Sequence, residues 1–577
     1  MVHISQLKNG LRNTRNQKAK PMNSRRKFLQ GGLLTSVAAL APIAGSEAKP
    51  TPSISSPGKP ATGQITILQT TDVHCQLHAH DELFWEKDEL VFRKAGGYAH
   101  MATALDRMKQ ANPENTITLD TGDMFQGSML SVKTTGQAFV PLLNAMNYDL
   151  YLPGNWEVVY YKKNMQKLMG GLLAPKICAN MYHDLGDGKK GELIFQPYQI
   201  MHRLGVKIGF LGYTDPLVPL RQSPLYSKGI IYTKPEENLK EYVTLLREQE
   251  QCDFVIILSH LGLSQQIALG NNPHCEGVDY IFGADTHERV RKPIQAEYTK
   301  IVEPGAFGSF IGKLDIQVKA GKVVGSTYEL VEVDPIKFPA DPEIKAFVQD
   351  LEKPYKEEIN KVLGYSTVPL YRNFVVENTI DTMIVDALKW KVNADVVLSN
   401  GFRFCPPRVP GKDGKVAITE GYLYDMLPVD STIRTAKATG QQIMNWLEKE
   451  LQNVFAQDAS LRFGGWFIRF KGMQVEFKAF ERVGHRVQKV IIGGAPLELE
   501  KSYVLCACER DGDPEDMLCR MKGVKEAKNT AYTLHSMMKE YLAKFSPVTP
   551  VLRHDAKILD GPQTLLSQVT GVDYTFR

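Results

Sequence analysis

Cysteine is scarce in this chain. Eight are spread over 577 residues, at positions 75, 178, 252, 275, 405, 506, 508 and 519. That density is too low to staple a fold of this size, so a disulfide scaffold is excluded. Cys506 and Cys508 fall in an apolar stretch, Tyr503 to Cys508, that reads as a strand. They point to one face of it and are expected to be buried free thiols. Charge of one sign is also lacking: 69 Lys and Arg stand against 64 Asp and Glu, a net +5. After the first 45 residues no apolar run approaches the ~20 residues that span a bilayer without meeting charges. No internal repeat is evident. Hydrophobic residues at 43% and charged residues at 23% exclude long disorder and collagen-like sequence.

The small basic excess has a place. Residues 1–48 carry Lys8, Arg12, Arg15, Lys18, Lys20, Arg25, Arg26 and Lys27 against Glu47 alone, a local +7. The remainder, 5 less 7, is therefore slightly acidic at −2. A nucleic-acid binder would carry its basic excess on the folded part, and this chain does not. Ser24-Arg25-Arg26-Lys27-Phe28-Leu29, an apolar stretch from Gly31 to Gly45 and Ser46-Glu47-Ala48 match a twin-arginine export signal with its cleavage site. Residues 1–48 are thus expected to be a removable address and 49–63, rich in Pro, Ser and Gly, a flexible leader. The mature protein is expected to be soluble and periplasmic.

From Ile65 to about Glu332, short apolar runs alternate with amphipathic helical stretches such as Gly97 to Ala111. This is the pattern of a layered α/β domain, assigned to 64–340. Asp341 to Val362 is charged and helical in period, with Pro354 as a kink, and reads as a linker helix. A second α/β domain occupies 363–577, with strands at 394–398, 474–477 and 490–492 and helices at 440–451 and 532–545.

Polar residues follow the strands of the first domain directly. They are Asp72 and His74 after Leu68-Gln69-Thr70-Thr71, Asp123 after Gly122, Asn155 after Gly154, His260 after Ser259, and Asp285 and His287 after Gly283-Ala284. Ligands in open α/β folds collect outside the carboxyl ends of strands, so five such ends can meet in one crevice. Gly122 and Gly154 would permit the tight turns that aim a ligand inward. Three carboxylates, three imidazoles and one amide oxygen suit two borderline or hard divalent ions and argue against a thiolate zinc site. A carboxylate bridging two ions ~3.5–4 Å apart is the basis of two-metal hydrolysis.

In order and spacing, Thr71-Asp72-Val73-His74, Gly122-Asp123-Met124-Phe125-Gln126-Gly127, Gly154-Asn155-Trp156-Glu157, Leu258-Ser259-His260-Leu261-Gly262 and Asp285-Thr286-His287-Glu288 resemble the calcineurin-like metallophosphoesterases. With the linker helix and Leu398-Ser399-Asn400-Gly401-Phe402-Arg403, nearly the whole mature chain resembles the bacterial 5′-nucleotidase superfamily. The resemblance implies an α/β fold: a four-layer αββα metallophosphoesterase domain joined by a linker helix to a 5′-nucleotidase-type α/β domain. It implies one ion on Asp72, His74 and His287, a second on Asn155, His260 and Asp285, and Asp123 bridging them. Two positions depart from the family pattern. Trp156 stands where its nucleotidases usually carry a transition-state His, and Asp285 stands where they usually carry a ligand His. An added carboxylate favours a harder ion, so two Mn(II) are expected.

Cys508 to Arg520, the ending Thr564 to Arg577, Thr533-Leu534-His535 with Glu540-Tyr541-Leu542, Trp156 and the leader resemble the SoxB-type thiosulfohydrolases of sulfur oxidation. These often carry His-Trp where this chain has Asn155-Trp156. The resemblance implies release of sulfate from a cysteine-bound thiosulfonate on a SoxYZ-like carrier protein with a C-terminal cysteine arm. A thiosulfonate presents a tetrahedral oxyanion, and its sulfur leaving group needs less proton assistance than an alkoxide. Asp123, Trp156 and Arg403 are the expected catalytic residues, Arg403 as an oxyanion fork. Arg434, Arg510, Asp511, Trp466 and Phe467 are secondary candidates for the cleft, while His78 and His80 read as loop residues at its rim. Two other readings stand beside this one: a 5′-nucleotidase or phosphomonoesterase acting on exported nucleotides, and a non-catalytic metal-binding protein that engages the carrier.

Overall fold

A computed structural model of the chain describes residues 61–87, 89–401 and 405–565. The expected export signal, nearly all of the leader, Arg403 and the ending from residue 566 lie outside them.

The first half is built on two sheets. In one, the strand Gly63–Thr70 lies between Phe310–Lys319, antiparallel to it, and Thr116–Asp120, parallel to it, with Leu150–Tyr151 beyond. In the other, Val206–Thr214, Phe254–His260, Tyr280–Phe282 and Lys300–Val302 run parallel, flanked by antiparallel edges at Tyr198–Arg203 and Ile294–Gln295. Phe254–His260 is buried at all seven positions and Thr116–Asp120 at all five. Strands covered on both faces call for a continuous apolar run, as Phe254 to Leu258 shows, while Thr116–Asp120 buries its alternating threonines as well. The sheets meet where the Gln69 Nε2 donates to the Thr121 hydroxyl at 2.9 Å and to the Gly283 carbonyl at 2.8 Å. With helices outside, this is the four-layer αββα arrangement. Helix Tyr98–Ala111 buries Ala99, Ala102 and Leu105 on the expected stripe, while Met108 is only half-buried at its margin.

The stretch read as one linker helix is two: Pro342–Glu352 and Lys356–Asn360, separated by a 3-10 turn that contains Pro354. The Asp341 carboxylate caps the first by accepting the Ile344 N–H at 2.9 Å. A strand already begins at Val362. The second half carries a five-stranded sheet in the order Arg469–Lys471, Val396–Ser399, Ser502–Cys508, Thr432–Thr439, Lys525–Thr533. Its helices Thr379–Lys391, Gly440–Phe455 and Leu534–Phe545 pack separate apolar cores on that sheet. All eight cysteines are free, with Cys506 buried and Cys508 half-buried.

One buried ion pair fastens the hairpin His80–Glu86/Glu89–Ala95 to the segment that follows His287. The Arg289 guanidinium reaches the Glu82 carboxylate at 2.5 Å and lies over the Phe310 ring at 4.6 Å. Burial would raise the Glu82 pKa, but Arg289, His80 and the Ser309 hydroxyl outweigh it and bring it from 4.5 to about 2. Glu82→Gln leaves a buried guanidinium without its counter-charge and is expected to cost about 3 kcal/mol. Because the folded pKa is depressed, that stability is present above about pH 4.5 and is lost as the pH falls toward 2. Urea midpoints of the two proteins should therefore lie apart at pH 7 and converge on acidification. A gap that persists at the lowest pH where both fold would assign the loss to packing instead.

Candidate metal centre

All seven candidate ligands lie at the carboxyl ends of parallel strands. Asp72 and His74 follow Gly63–Thr70, Asp123 follows Thr116–Asp120, Asn155 follows Leu150–Tyr151, His260 ends Phe254–His260, and Asp285 and His287 follow Tyr280–Phe282. Five of them sit in left-handed backbone: Asp72 at φ 47°, His74 at 47°, Asp123 at 60°, Asp285 at 84° and His287 at 59°. Each such residue costs about 1 kcal/mol or more, so the surrounding structure must impose it. The constraint is a lattice of main-chain bonds: Asp72 N–H to Gly122 O at 2.9 Å, His74 N–H to Asp123 O at 3.1 Å, Phe307 N–H to Asp72 O at 2.8 Å.

Two glycines let the loops close. Gly122 has φ 108°, and a Cβ there would lie 2.4 Å from the Gly154 nitrogen. At Gly154 a Cβ would lie 2.3 Å from Asp123 Oδ1. Glu157 ties the same two loops together. Its carboxylate accepts the N–H groups of Asp123 at 3.1 Å, Met124 at 2.7 Å and Gly154 at 2.5 Å. Burial and the nearby Asp123 charge push its pKa up to about 8. Asp120 braces from beneath, accepting the Thr70 hydroxyl at 2.6 Å and the Gly122 N–H at 3.0 Å, and burial pushes it up to about 7.

At the centre, Asp72 Oδ1 lies 3.8 Å from His74 Nε2, 3.8 Å from His260 Nε2 and 3.5 Å from His287 Nε2. Asp123 Oδ2 lies 3.5 Å from His74 Nε2 and 3.3 Å from His260 Nε2. Two groups of ligand atoms are close enough to share an ion: Asp72, His74 and His287, and Asp72, Asp123 and His260. Asp72, assigned by resemblance to one ion, thus faces both groups, as Asp123 does.

The donor set fits divalent cations. His74 Nδ1–H donates to the Gln126 carbonyl at 2.9 Å and His260 Nδ1–H to the Thr121 carbonyl at 2.7 Å. That tautomer leaves a lone pair on each Nε2, the form a metal binds. His74 Nε2 and His287 Nε2 then face each other at 3.1 Å, and Asp72 Oδ1 and His260 Nε2 are buried without hydrogen-bond partners. A buried carboxylate oxygen and an imidazole nitrogen without partners, beside a second carboxylate, call for positive charge between them. Burial works against the Asp72 charge, but the imidazoles of His260, His287 and His74 prevail and hold its carboxyl well below the usual range. Burial works against protonation of His260 as well, yet Asp123 and Asp72 raise its pKa well above the usual value.

Asp285 is arranged differently from a simple ligand. Its Oδ1 accepts the Asn155 amide N–H at 2.5 Å, its Oδ2 accepts Arg221 at 3.2 Å, and Oδ1 stays 4.0 Å from His260 Nε2. Burial pushes its carboxyl up to about 6 against the pull of Arg221 and His260. Gln222 in turn donates to the Asn155 backbone carbonyl at 2.8 Å.

A cavity of about 70 Å³ lies over the cluster and adjoins one of about 410 Å³. Trp156, Arg221, Gln222, Asn400 and Arg520 line both. Arg520 is forked on Glu450, at 3.1 and 2.5 Å. The guanidinium carbons of Arg221 and Arg520 lie 5.4 and 5.9 Å from the centre of the Phe463 ring. At the mouth of the larger cavity Arg510 pairs with Asp513 and also donates to the Leu220 carbonyl, while the Ser223 hydroxyl donates to the Asp511 carbonyl at 2.6 Å.

Trp466 lines the smaller cavity, whereas Phe467 is fully buried against Phe477. Arg434 pairs with Glu509 and Asn529 on the sheet. His78 pairs with Glu352, and His80 donates to or accepts from the Ser309 hydroxyl, so neither joins the cluster. Arg403 lies outside the described residues. Arg221, Gln222, Glu450 and Phe463 belong to the site without any local spacing that marks them, while Arg520 closes the Cys508 to Arg520 stretch singled out in the sequence. Glu157 could have been found, since it lies inside the Gly154–Glu157 motif.

The calcineurin-like phosphoesterase family model matches residues 65–289, and the 5′-nucleotidase C-terminal domain model matches residues 360–508. The chain is 25% identical over 487 residues to the trifunctional nucleotide phosphoesterase of Bacillus subtilis, a match that covers 76% of this chain but only 31% of that protein. It is 22% identical over 568 residues to the 5′-nucleotidase of Vibrio vulnificus, covering 89% and 96% of the two chains. The structure of the Thermus thermophilus sulfate thiohydrolase SoxB superposes with a TM-score of 0.76 at 22% identity, covering 88% of this chain and 99% of that one.

Gly154→Ala tests the loop geometry. The added methyl would displace Asp123 or Glu157. Bound metal, measured by plasma mass spectrometry, is expected to fall at least about tenfold while far-ultraviolet circular dichroism stays unchanged. Full metal content in the variant would show that the loops tolerate the methyl.

Proposed function

The chain belongs to the 5′-nucleotidase superfamily of calcineurin-like phosphoesterases and is a metal-dependent hydrolase, and from this premise we propose that it is a SoxB-like thiosulfohydrolase. The observation that carries the proposal is what flanks the cluster. Among the described residues, the linings of both cavities contain no histidine other than His74 and His287, and Trp156 stands beside Asn155 and Asp123. The Trp156 backbone N–H donates to Asp123 Oδ1 at 2.8 Å, which fixes the residue at the cluster. An indole holds no transferable proton at neutral pH, so the site offers no general acid there. A phosphate ester losing an alkoxide needs one, and a thiosulfonate losing a persulfide does not. The reaction adds water to R–S–S–SO3⁻ and yields R–S–SH and hydrogen sulfate.

Asp72, His74, Asp123, Asn155, His260 and His287 are the residues that would hold two divalent ions, three oxygens and three imidazoles being a mixed set that Mn(II) accepts. Bound there, the ions would supply Lewis acidity toward the oxyanion and a nucleophile from water at neutral pH. The chain's own groups orient the substrate. Arg221 and Arg520 place fixed positive charge on the cavity wall, suited to a sulfonate, and both guanidiniums attend Phe463, which leaves that ring poorly placed to stack a nucleobase. The loop 510–513 at the mouth would admit an extended peptide arm, such as the cysteine arm of a SoxYZ-like carrier. Among the described residues no helix is long and apolar enough to cross a membrane. The expected twin-arginine leader supports a periplasmic location.

A 5′-nucleotidase is the second reading, favoured by the family match over 360–508 and by Trp466 on the smaller cavity. Manganese-loaded protein assayed against AMP and against a thiosulfonated carrier cysteine separates the two. Turnover of the carrier with little of AMP is expected; turnover of AMP alone overturns the proposal. Trp156→His is expected to raise phosphomonoesterase activity at least about tenfold while thiosulfonate turnover persists. If neither activity moves, the missing proton donor is not what selects the substrate.

A further inference from the structure

Asp285 is the member of the ligand set whose oxygens are both engaged by side chains other than the clustered imidazoles and carboxylates. Its partner Arg221 ends the short helix Val218–Arg221, just after the strand Val206–Thr214. Arg221 Nη1 lies 3.0 Å from Asp215 Oδ2 and 3.2 Å from Asp285 Oδ2, and its side chain is only 12% exposed. Asp215 is buried and its other oxygen accepts the Leu217 N–H at 2.8 Å, so this carboxylate cannot swing away. Phe463, from the second half of the chain, covers the guanidinium at 5.4 Å. The arginine is therefore locked between two carboxylates, permanently charged.

This arrangement bears on the ions. A carboxylate ligand must turn a lone pair on the metal, but Asp285 gives Oδ2 to Arg221 and Oδ1 to the Asn155 amide N–H. The second bond leaves the Asn155 carbonyl oxygen as that residue's only donor atom for an ion. On this side of the cluster Asp72, Asp123 and His260 remain as the compact ligand group. We propose that Arg221 is a positioning residue that sets the affinity of the second ion: by holding Asp285 in an ion pair it withholds that carboxylate from coordination. One ion, on Asp72, His74 and His287, is then tight, and the other, on Asp72, Asp123, His260 and Asn155, is weak and exchangeable. Removing Arg221 would leave Asp215 and Asp285 as two buried carboxylates without a cation, and a divalent ion becomes their best neutraliser. The proposal rests on the two-ion reading of the cluster and is independent of the substrate.

The test is Mn(II) titration of the metal-stripped full chain, followed by calorimetry and by electron paramagnetic resonance. The native protein is expected to show two affinity classes. Arg221→Gln should tighten the weak class about tenfold and should convert the six-line spectrum of isolated Mn(II) to the exchange-coupled signal of a pair at lower total metal. Arg221→Lys, which keeps the charge, should restore the native separation. Equal affinities in the native protein, or a weak class that Arg221→Gln leaves unchanged or weakens, would overturn the proposal. If Arg221→Gln does not fold, Asp285→Asn decides: a change under about threefold in the weak class is expected, and a loss above about tenfold makes Asp285 a ligand and ends the idea. Absence of Mn(II) binding in every form would instead remove the two-ion reading itself.

Discussion

The structure depends on one electrostatic demand. Asp72 is buried within 4 Å of three imidazoles and Asp123 within 4 Å of two of them, the ring nitrogens of His74, His260 and His287 turning toward these carboxylates. Buried carboxylates are costly unless positive charge joins them. Much of the first half serves to keep these groups together despite that cost. Parallel strands in two sheets deliver them from five ends, and left-handed backbone at five of the seven residues turns their side chains inward. Cations bound between these groups would offset that cost, so the backbone favours metal as the candidate ligands do.

The supporting groups follow from the same demand. Glu157 collects three N–H groups from two loops, and Asp120 collects a hydroxyl and an N–H beneath them. Both have raised pKa values because burial penalises their charge and no cation pairs with them. Asp285 is handled in another way. Its charge is met by Arg221, which also answers Asp215. A carboxylate in this position is thus tolerable without a metal, and the chain keeps an arginine at the edge of the cavity where an oxyanion would arrive. Arg520 does the same from the second half, neutralised by Glu450 behind it.

Strands were legible where apolar runs are continuous. Phe254–His260 shows no alternation through Leu258 because both faces are covered, whereas Thr116–Asp120 alternates polar and apolar residues although all five are buried, and burial runs on past both strands into Leu261 and Thr121. The helix Tyr98–Ala111 was legible through its period. The linker was read as one kinked helix and is two, because Pro354 cannot donate the bond that continues an α-helix and the chain tightens into a 3-10 turn instead. Trp466 and Phe467 could each have been core or cleft wall, and they divide: Phe467 is core while Trp466 lines the smaller cavity, a choice made in the irregular segment before Arg469–Lys471 that local sequence does not fix.

The sequence by itself named the candidate ligands and their order, because each is tied to the end of a strand and strand ends on one side of a parallel sheet share a crevice. It also placed a tryptophan, whose indole holds no transferable proton, directly after Asn155. Only the tertiary structure decided who partners whom. Asp72 turned out to face both groups of ligand atoms, and Asp285 turned out to be paired with Arg221, 64 residues away in the chain. Phe463 and Arg520 reached the cavity from the other half of the molecule. Such pairings depend on distances set by packing, and packing brings together residues whose separation along the chain carries no trace of the contact.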